Sequence, residues 1–161
     1  MPPIPLIPLI PHMPIMPKKQ FCTFRLGDFF FGIDILQVQE IIRHLSFTRI
    51  PLAPTMIEGL VNLRGQIVTA IDLRLRLDLP SRNADKSPTH VVINNADGAT
   101  SLIIDEIGDM MELSDDTFEL PPDTIQGTAR ELITGVYKLE NSLLLILDTT
   151  KVVQLDAKLF G

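Results

Sequence analysis

At 161 residues the chain suits one compact domain, or two small ones sharing an interface, and can bury a sizeable core. Its net charge of -6, with basic residues scattered apart from Lys18-Lys19, leaves no stripe able to neutralise several phosphates, which argues against nucleic acid and for a solvated protein-binding surface. Cys22 is the single cysteine, so an internal disulfide and a cysteine metal cluster are excluded and a reducing compartment is indicated.

Residues 1–17 are apolar, but no basic region comes first and prolines interrupt the run, so neither a signal peptide nor a membrane span is read there. Pro2, Pro5, Pro8, Pro11, Pro14 and Pro17 recur at every third residue, the period of a polyproline II helix. Two readings stay open: a ligand for an aromatic-lined groove, and a disordered tail or sequence upstream of the natural start. Residues 1–18 are taken as a proline-rich, disordered tail and 19–161 as the folded domain.

From Phe21 to Leu26 the pattern is strand-like, Gly27-Asp28 supplies a turn, and Phe29 to Ile35 makes the return strand of a hairpin. Leu36, Val38, Ile41 and Ile42 mix with polar neighbours and suggest a short helix or irregular turn, closed by Pro51 and Pro54. Strands Leu60–Leu63 and Gln66–Ile71 follow, joined through Arg64-Gly65, where Gly65 suits the positive φ of a type II or bulged turn. Asp72 is placed to cap a brief helix through Leu77. The polar stretch from Pro80 to Pro88 reads as the connection between halves. Beyond it come a strand from Thr89 to Asn94, a turn at Asn95-Ala96-Asp97-Gly98, a return strand from Thr100 to Ile107 and an extension from Met110 to Leu113. Leu143–Leu147 is apolar on both faces, as a doubly covered strand would be, and Asp148 caps a last helix carrying Val152, Val153 and Leu155.

An internal repeat runs through this order. Gly59 to Asp72 and Gly135 to Asp148 span the same interval of 13 residues, with apolar residues at matching places. Ile104-Asp105 likewise mirrors Ile33-Asp34, and an insertion near Pro121-Pro122 lengthens the second half. Short strands, glycine turns and few helices favour small barrels over a parallel sheet. Two half-barrels of about 65–70 residues, each marginal alone, should pack together and leave a groove where a partner docks.

The runs Gly32-Ile33-Asp34-Ile35-Leu36-Gln37-Val38-Gln39-Glu40-Ile41, Arg49-Ile50-Pro51 and Gly59-Leu60-Val61-Asn62-Leu63-Arg64-Gly65-Gln66-Ile67, with Ile71-Asp72-Leu73-Arg74, resemble the CheW-like family of bacterial chemotaxis coupling proteins. Ile103-Ile104-Asp105-Glu106-Ile107, Thr134-Gly135-Val136 and Leu145-Ile146-Leu147-Asp148 match the family's second half in order. The likeness covers about Gln20 to Leu155, and several ordered motifs together are far more specific than one. Thr69-Ala70 departs from the proline-valine pair common there, and a local change inside a strand is expected.

The resemblance implies a mainly β fold: two intertwined, five-stranded SH3-like β-barrel subdomains around a shared groove, with a few short helices. It also implies a non-enzymatic adaptor that joins transmembrane chemoreceptors to a CheA-type histidine autokinase. It would be a cytoplasmic monomer without cofactor, recruited into membrane receptor arrays. Val38, Glu40 and Ile41 match the segment beside the groove that takes the receptor's helical hairpin tip, and Asn62, Leu63, Arg64 and Gly65 match the signature turn. The resemblance assigns no kinase-contact residues.

Blander readings stand beside these. Without the resemblance Arg64 reads as a solvated turn residue, and with it the receptor role is favoured; Val38 and Ile41 also read as core, Asn62 as a brace for the turn, and Asp72 and Asp148 as helix caps rather than binding residues. A paired-carboxylate hydrolase would need Thr or Ser and then Gly after each aspartate, whereas Leu73-Arg74 and Thr149-Thr150 follow. His12, His44 and His90 lack ligand spacing, and no Walker-type phosphate loop is present. The same module also serves pathways with other outputs, such as pili.

Overall fold

The structure, a computed structural model, describes residues 18–43, 45–80, 88–95 and 98–154. The proline-rich tail, His12, His44, Leu155 and most of the connection expected near 80–88 lie outside them. In chain order the elements are β1 (Lys18–Leu26), β2 (Phe29–Asp34), a 3₁₀ turn (Ile35–Gln37), β3 (Val38–Arg43), β4 (Ile57–Leu63), β5 (Gln66–Asp72) and α1 (Leu73–Arg76). After these come β6 (Thr89–Asn95), β7 (Gly98–Ile104), β8 (Glu106–Ser114), a second 3₁₀ turn (Asp115–Thr117), β9 (Phe118–Glu119), α2 (Gly127–Leu132), β10 (Ile133–Lys138), β11 (Leu143–Leu147) and α3 (Thr149–Val153).

Two elements differ from the sequence reading. The helix or irregular turn expected from Leu36 is only the 3₁₀ turn, and Val38–Arg43 is a strand. A register irregularity between Val38 and Glu40 shifts the inward and outward positions, which blurs the alternation that marks a strand. The single strand expected over Thr100–Ile107 breaks at Asp105, because there the chain leaves one sheet for the other.

One sheet has the order β8-β1-β2-β11-β10-β9 and the other β3-β6-β7-β5-β4. The two sequence repeats are therefore not the two sheets. The first repeat gives β1-β2 to one sheet and β3 to β5 to the other, and the second gives β6-β7 and β8 to β11 reciprocally. Parallel pairs stitch the exchange: β2 with β11 and β5 with β7. Strands β5 and β6, on either side of the 80–88 connection, lie in the same sheet.

The second sheet curls until its edges meet, and in the first the chain runs directly from one edge strand to the other. Beyond β3, Thr48 exchanges backbone hydrogen bonds with Leu60 on the far edge strand β4, at 2.8 and 2.7 Å. Beyond β8, the chain turns into β9, which pairs with β10. This is the expected pair of small barrels, the first with a sixth strand of only two residues. The repeated glycines mark the two closures: a Cβ on Gly59 would lie 2.2 Å from the Thr48 carbonyl oxygen, and one on Gly135 would lie 2.2 Å from the Phe118 ring. A register irregularity precedes each.

Inside the first barrel Phe21, Tyr137, Leu144 and Ile146 pack together, and inside the second Leu63, Val68 and Val92 with Ile42 and Ala99, one residue from each strand. The outer faces of both sheets meet in a larger core containing Phe24, Phe31, Ile33, Leu102, Leu145 and Leu147. This explains the run Leu143–Leu147: Leu144 and Ile146 fill a barrel, and Leu145 and Leu147 join the shared core.

The aspartates that end the repeats are caps. Asp72 accepts from the Arg74 and Leu75 N–H groups at 3.0 and 3.4 Å, and Asp148 from Lys151 N–H at 3.1 Å. Arginines on α1 then tie the barrels. Arg76 donates to the carbonyls of Val152, Lys151 and Gln154, satisfying the end of α3. Arg74 pairs with Asp105, which also accepts from Gly27 N–H in the β1–β2 turn at 2.8 Å. Hydrogen bonding to Asp105 raises the pKa of Arg74 above its ordinary value.

Candidate partner-binding surface

The turn between β4 and β5 is a two-residue hairpin in which both Arg64 (φ 52°) and Gly65 (φ 87°) are left-handed, a type I′ turn matched to strand twist. Gly65 adopts this freely. Arginine does not, at about 1–2 kcal/mol for a side chain in that region. The Asn62 side chain accepts from Gly65 N–H at 2.9 Å and braces the turn, as the blander reading had it.

What the arginine supplies is its side chain. Its guanidinium makes a two-pronged ion pair with Glu40, at 2.6 and 2.9 Å, although β3 and β4 are opposite edges of the sheet. Barrel closure brings them together. The Arg64 side chain is 75% exposed and that of Glu40 18%, so the pair contributes at most about 0.2–1 kcal/mol to stability. Its geometric effect is larger: the fork fixes where a solvent-facing cation stands.

Of the seven residues singled out in the sequence, four gather here: Glu40, Asn62, Arg64 and Gly65. Ile41 follows Glu40 on β3, so its side chain points to the opposite face of the strand, where it is 43% exposed. Leu63 is instead buried inside the second barrel, and Val38 is half-buried against the shared core. Sequence reading missed Ile67, which is 61% exposed on β5 directly opposite Asn62. Its signal was an apolar residue at an outward position, next to buried Val68. Thr69 and Ala70 both sit within β5, Ala70 wholly buried. His90 lies inside the second barrel, its Nδ1 2.9 Å from Ser101 Oγ. Among the described residues no group of three or more His, Cys, Asp or Glu side chains could hold a metal ion, and no helix is long and apolar enough to cross a membrane.

Two interlocked small barrels, with a charged, partly apolar surface where one sheet closes, define the class as a mainly β, two-barrel domain. The profile of the CheW-like domain matches residues 20–157, and the chain belongs to that family of chemotaxis scaffolds and adaptors. It is 35% identical to a chemotaxis protein CheW of Treponema pallidum over 82% of this chain and 80% of that one. It is 33% identical to a chemotaxis protein CheW of Klebsiella aerogenes, over 84% and 81%. The crystal structure of the scaffolding protein TtCheW from Thermoanaerobacter tengcongensis superposes with a TM-score of 0.78 at 26% identity, covering 87% of this chain and 95% of that one. Protein PilI of Pseudomonas aeruginosa is 29% identical over 73% of this chain and 66% of its own.

Proposed function

We propose that this chain is a non-enzymatic adaptor that couples chemoreceptors to a CheA-type histidine autokinase. It takes the receptor's cytoplasmic hairpin tip against the seam between β3 and the β4–β5 turn. Arg64 carries the reading: a residue poorly suited to its backbone position is kept in a tight turn, and its charge is held at the surface by Glu40. Ile41, Ile67 and Asn62 supply exposed area near it, Leu63 supports the turn from the barrel interior, and Val38 packs toward the shared core. A helix laid on this seam would gain apolar contact from the isoleucines and orientation from the ion pair.

On this reading the protein is cytoplasmic and reaches the membrane only through receptors. The kinase's regulatory domain binds elsewhere on the chain, and a small receptor movement reaches the kinase through rigid contacts. The likeness to PilI favours a second reading, the same module serving a pilus-linked output.

A pull-down of the chain with a receptor hairpin and a kinase regulatory domain from the same cell tests this. The expected result is capture of both partners by the wild type, and loss of the receptor alone in Arg64→Ala with an unchanged cooperative melt. Capture of neither would mean that the fold has been turned to another use. Receptors of the pilus-linked or the flagellar type, offered separately, decide between the two outputs.

A further inference from the structure

His90 is wholly buried in the second barrel. Its neighbours across the ladder are Ile42 on β3 and Ile103 on β7, which belong to two different apolar clusters of that barrel, and its Nδ1 stands 2.9 Å from Ser101 Oγ. A neutral imidazole suits this setting. An imidazolium would place a charge among apolar side chains that water does not reach.

The charged groups facing the ring are already engaged. Glu40 lies two residues before Ile42 on β3, so it shares the inward face, and Arg64 holds both its oxygens. On β5 Asp72 has the inward parity of Val68 and Ala70 and accepts the two N–H groups that begin α1. Strand β7 carries no charged residue, and Glu58 is half-buried at the irregular end of β4. Strand β3 is the weakest wall around the ring. It is an edge strand laddered to β6 alone, and its residues alternate between half-buried and exposed, with none buried. Few buried contacts make such a strand the first to open.

We propose that His90 is a proton-sensitive latch on β3: in acid its ring takes up a proton as β3 leaves β6, and that movement parts Glu40 from Arg64. The direction follows from proton counting. The opened chain binds this proton near pH 6.5, the ordinary histidine value, and the closed barrel does not, so closure is complete well above that pH and weakens as pH falls below it. The latch belongs to the fold and does not depend on the adaptor reading; on that reading, receptor capture weakens in acid together with it.

Hydrogen exchange of the full-length chain between pH 7.5 and 5, read as protection factors, tests the proposal together with the ¹³C shifts of the histidine rings. In the wild type, protection at Glu40, Ile41 and Ile42 should fall by up to tenfold per pH unit below 6.5, the effect of one proton. In His90→Gln, and in His90→Val, which fills the site with an apolar side chain, it should stay level, although His12 and His44 still titrate. An equal slope in either folded variant would overturn the latch. So would a His90 ring that titrates in the wild type while β3 keeps its protection, since the closed barrel would then accommodate the charge; that result needs no variant.

Discussion

Arg64, Gly59 and Gly135 show how single positions serve the closure of the barrels. The three glycines of the second barrel's turn and the two seams have different demands. Gly65 needs only its positive φ, since open space surrounds it, whereas Gly59 and Gly135 need the absence of a Cβ. Gly65→Ala should therefore cost about 1–2 kcal/mol, from backbone strain alone. Gly59→Ala and Gly135→Ala should each cost more, about 2–4 kcal/mol, because backbone must move at the seam. Urea denaturation ranks them, and equal losses at all three would contradict the steric account. Buried ionisable groups set the response to alkali. Burial pushes the Cys22 thiol up, and burial followed by Asp115 and Asp34 does the same to Tyr137. The unfolded chain then loses these protons first as pH rises, so stability is complete below about pH 8.5, the ordinary thiol value, and declines above it. Thermal melts should show a falling midpoint above that pH, with a shallower fall in Cys22→Ala; an identical slope would assign the effect to other groups.

At the scale of elements, α1 acts as a clasp. It is one turn long, too short to be stable by propensity, and it exists because Asp72 caps its start and its arginines reach across to the other barrel. Arg76 closes the end of α3 with three donors, a geometry that a lysine ammonium does not reproduce. Arg76→Lys should destabilise the protein by about 1–3 kcal/mol. Hydrogen exchange should rise selectively at Lys151 to Gln154; a uniform rise would mean that α3 has no local stability separate from the whole. The caps were legible from Asp72 and Asp148 because a cap is a local device. The cross-barrel bonds were not, because Arg76 and Val152 are far apart in the chain. Strand β3 was misread for a similar reason: its irregularity answers to the partner strand β6, which the local pattern does not contain.

For the molecule as a whole, the reciprocal exchange of strands makes the two repeats depend on one another. Each barrel is completed by strands from the other repeat, and the largest hydrophobic cluster takes side chains from both. Fragments 1–80 and 88–161 should therefore each lack a cooperative melt when expressed alone, and regain strand signal in circular dichroism when mixed. A fragment that melts cooperatively by itself would show that one repeat suffices for a barrel. The intact chain should unfold in a single transition, since the largest core is shared by the two barrels and the cluster left inside either one is small.

The sequence by itself determined the number and type of most strands, the turn at Arg64-Gly65, the two capping aspartates and the family, since these rest on short-range pattern and on ordered motifs. Apolar alternation, glycine and cap residues act over a few positions and can be read there. Only the tertiary structure decided which strands share a barrel, that Leu63 is interior while Ile67 is exposed, and that Glu40 faces Arg64. Those facts follow from sheets curling until opposite edges touch, and edge contact is set by packing between residues that the chain itself keeps far apart.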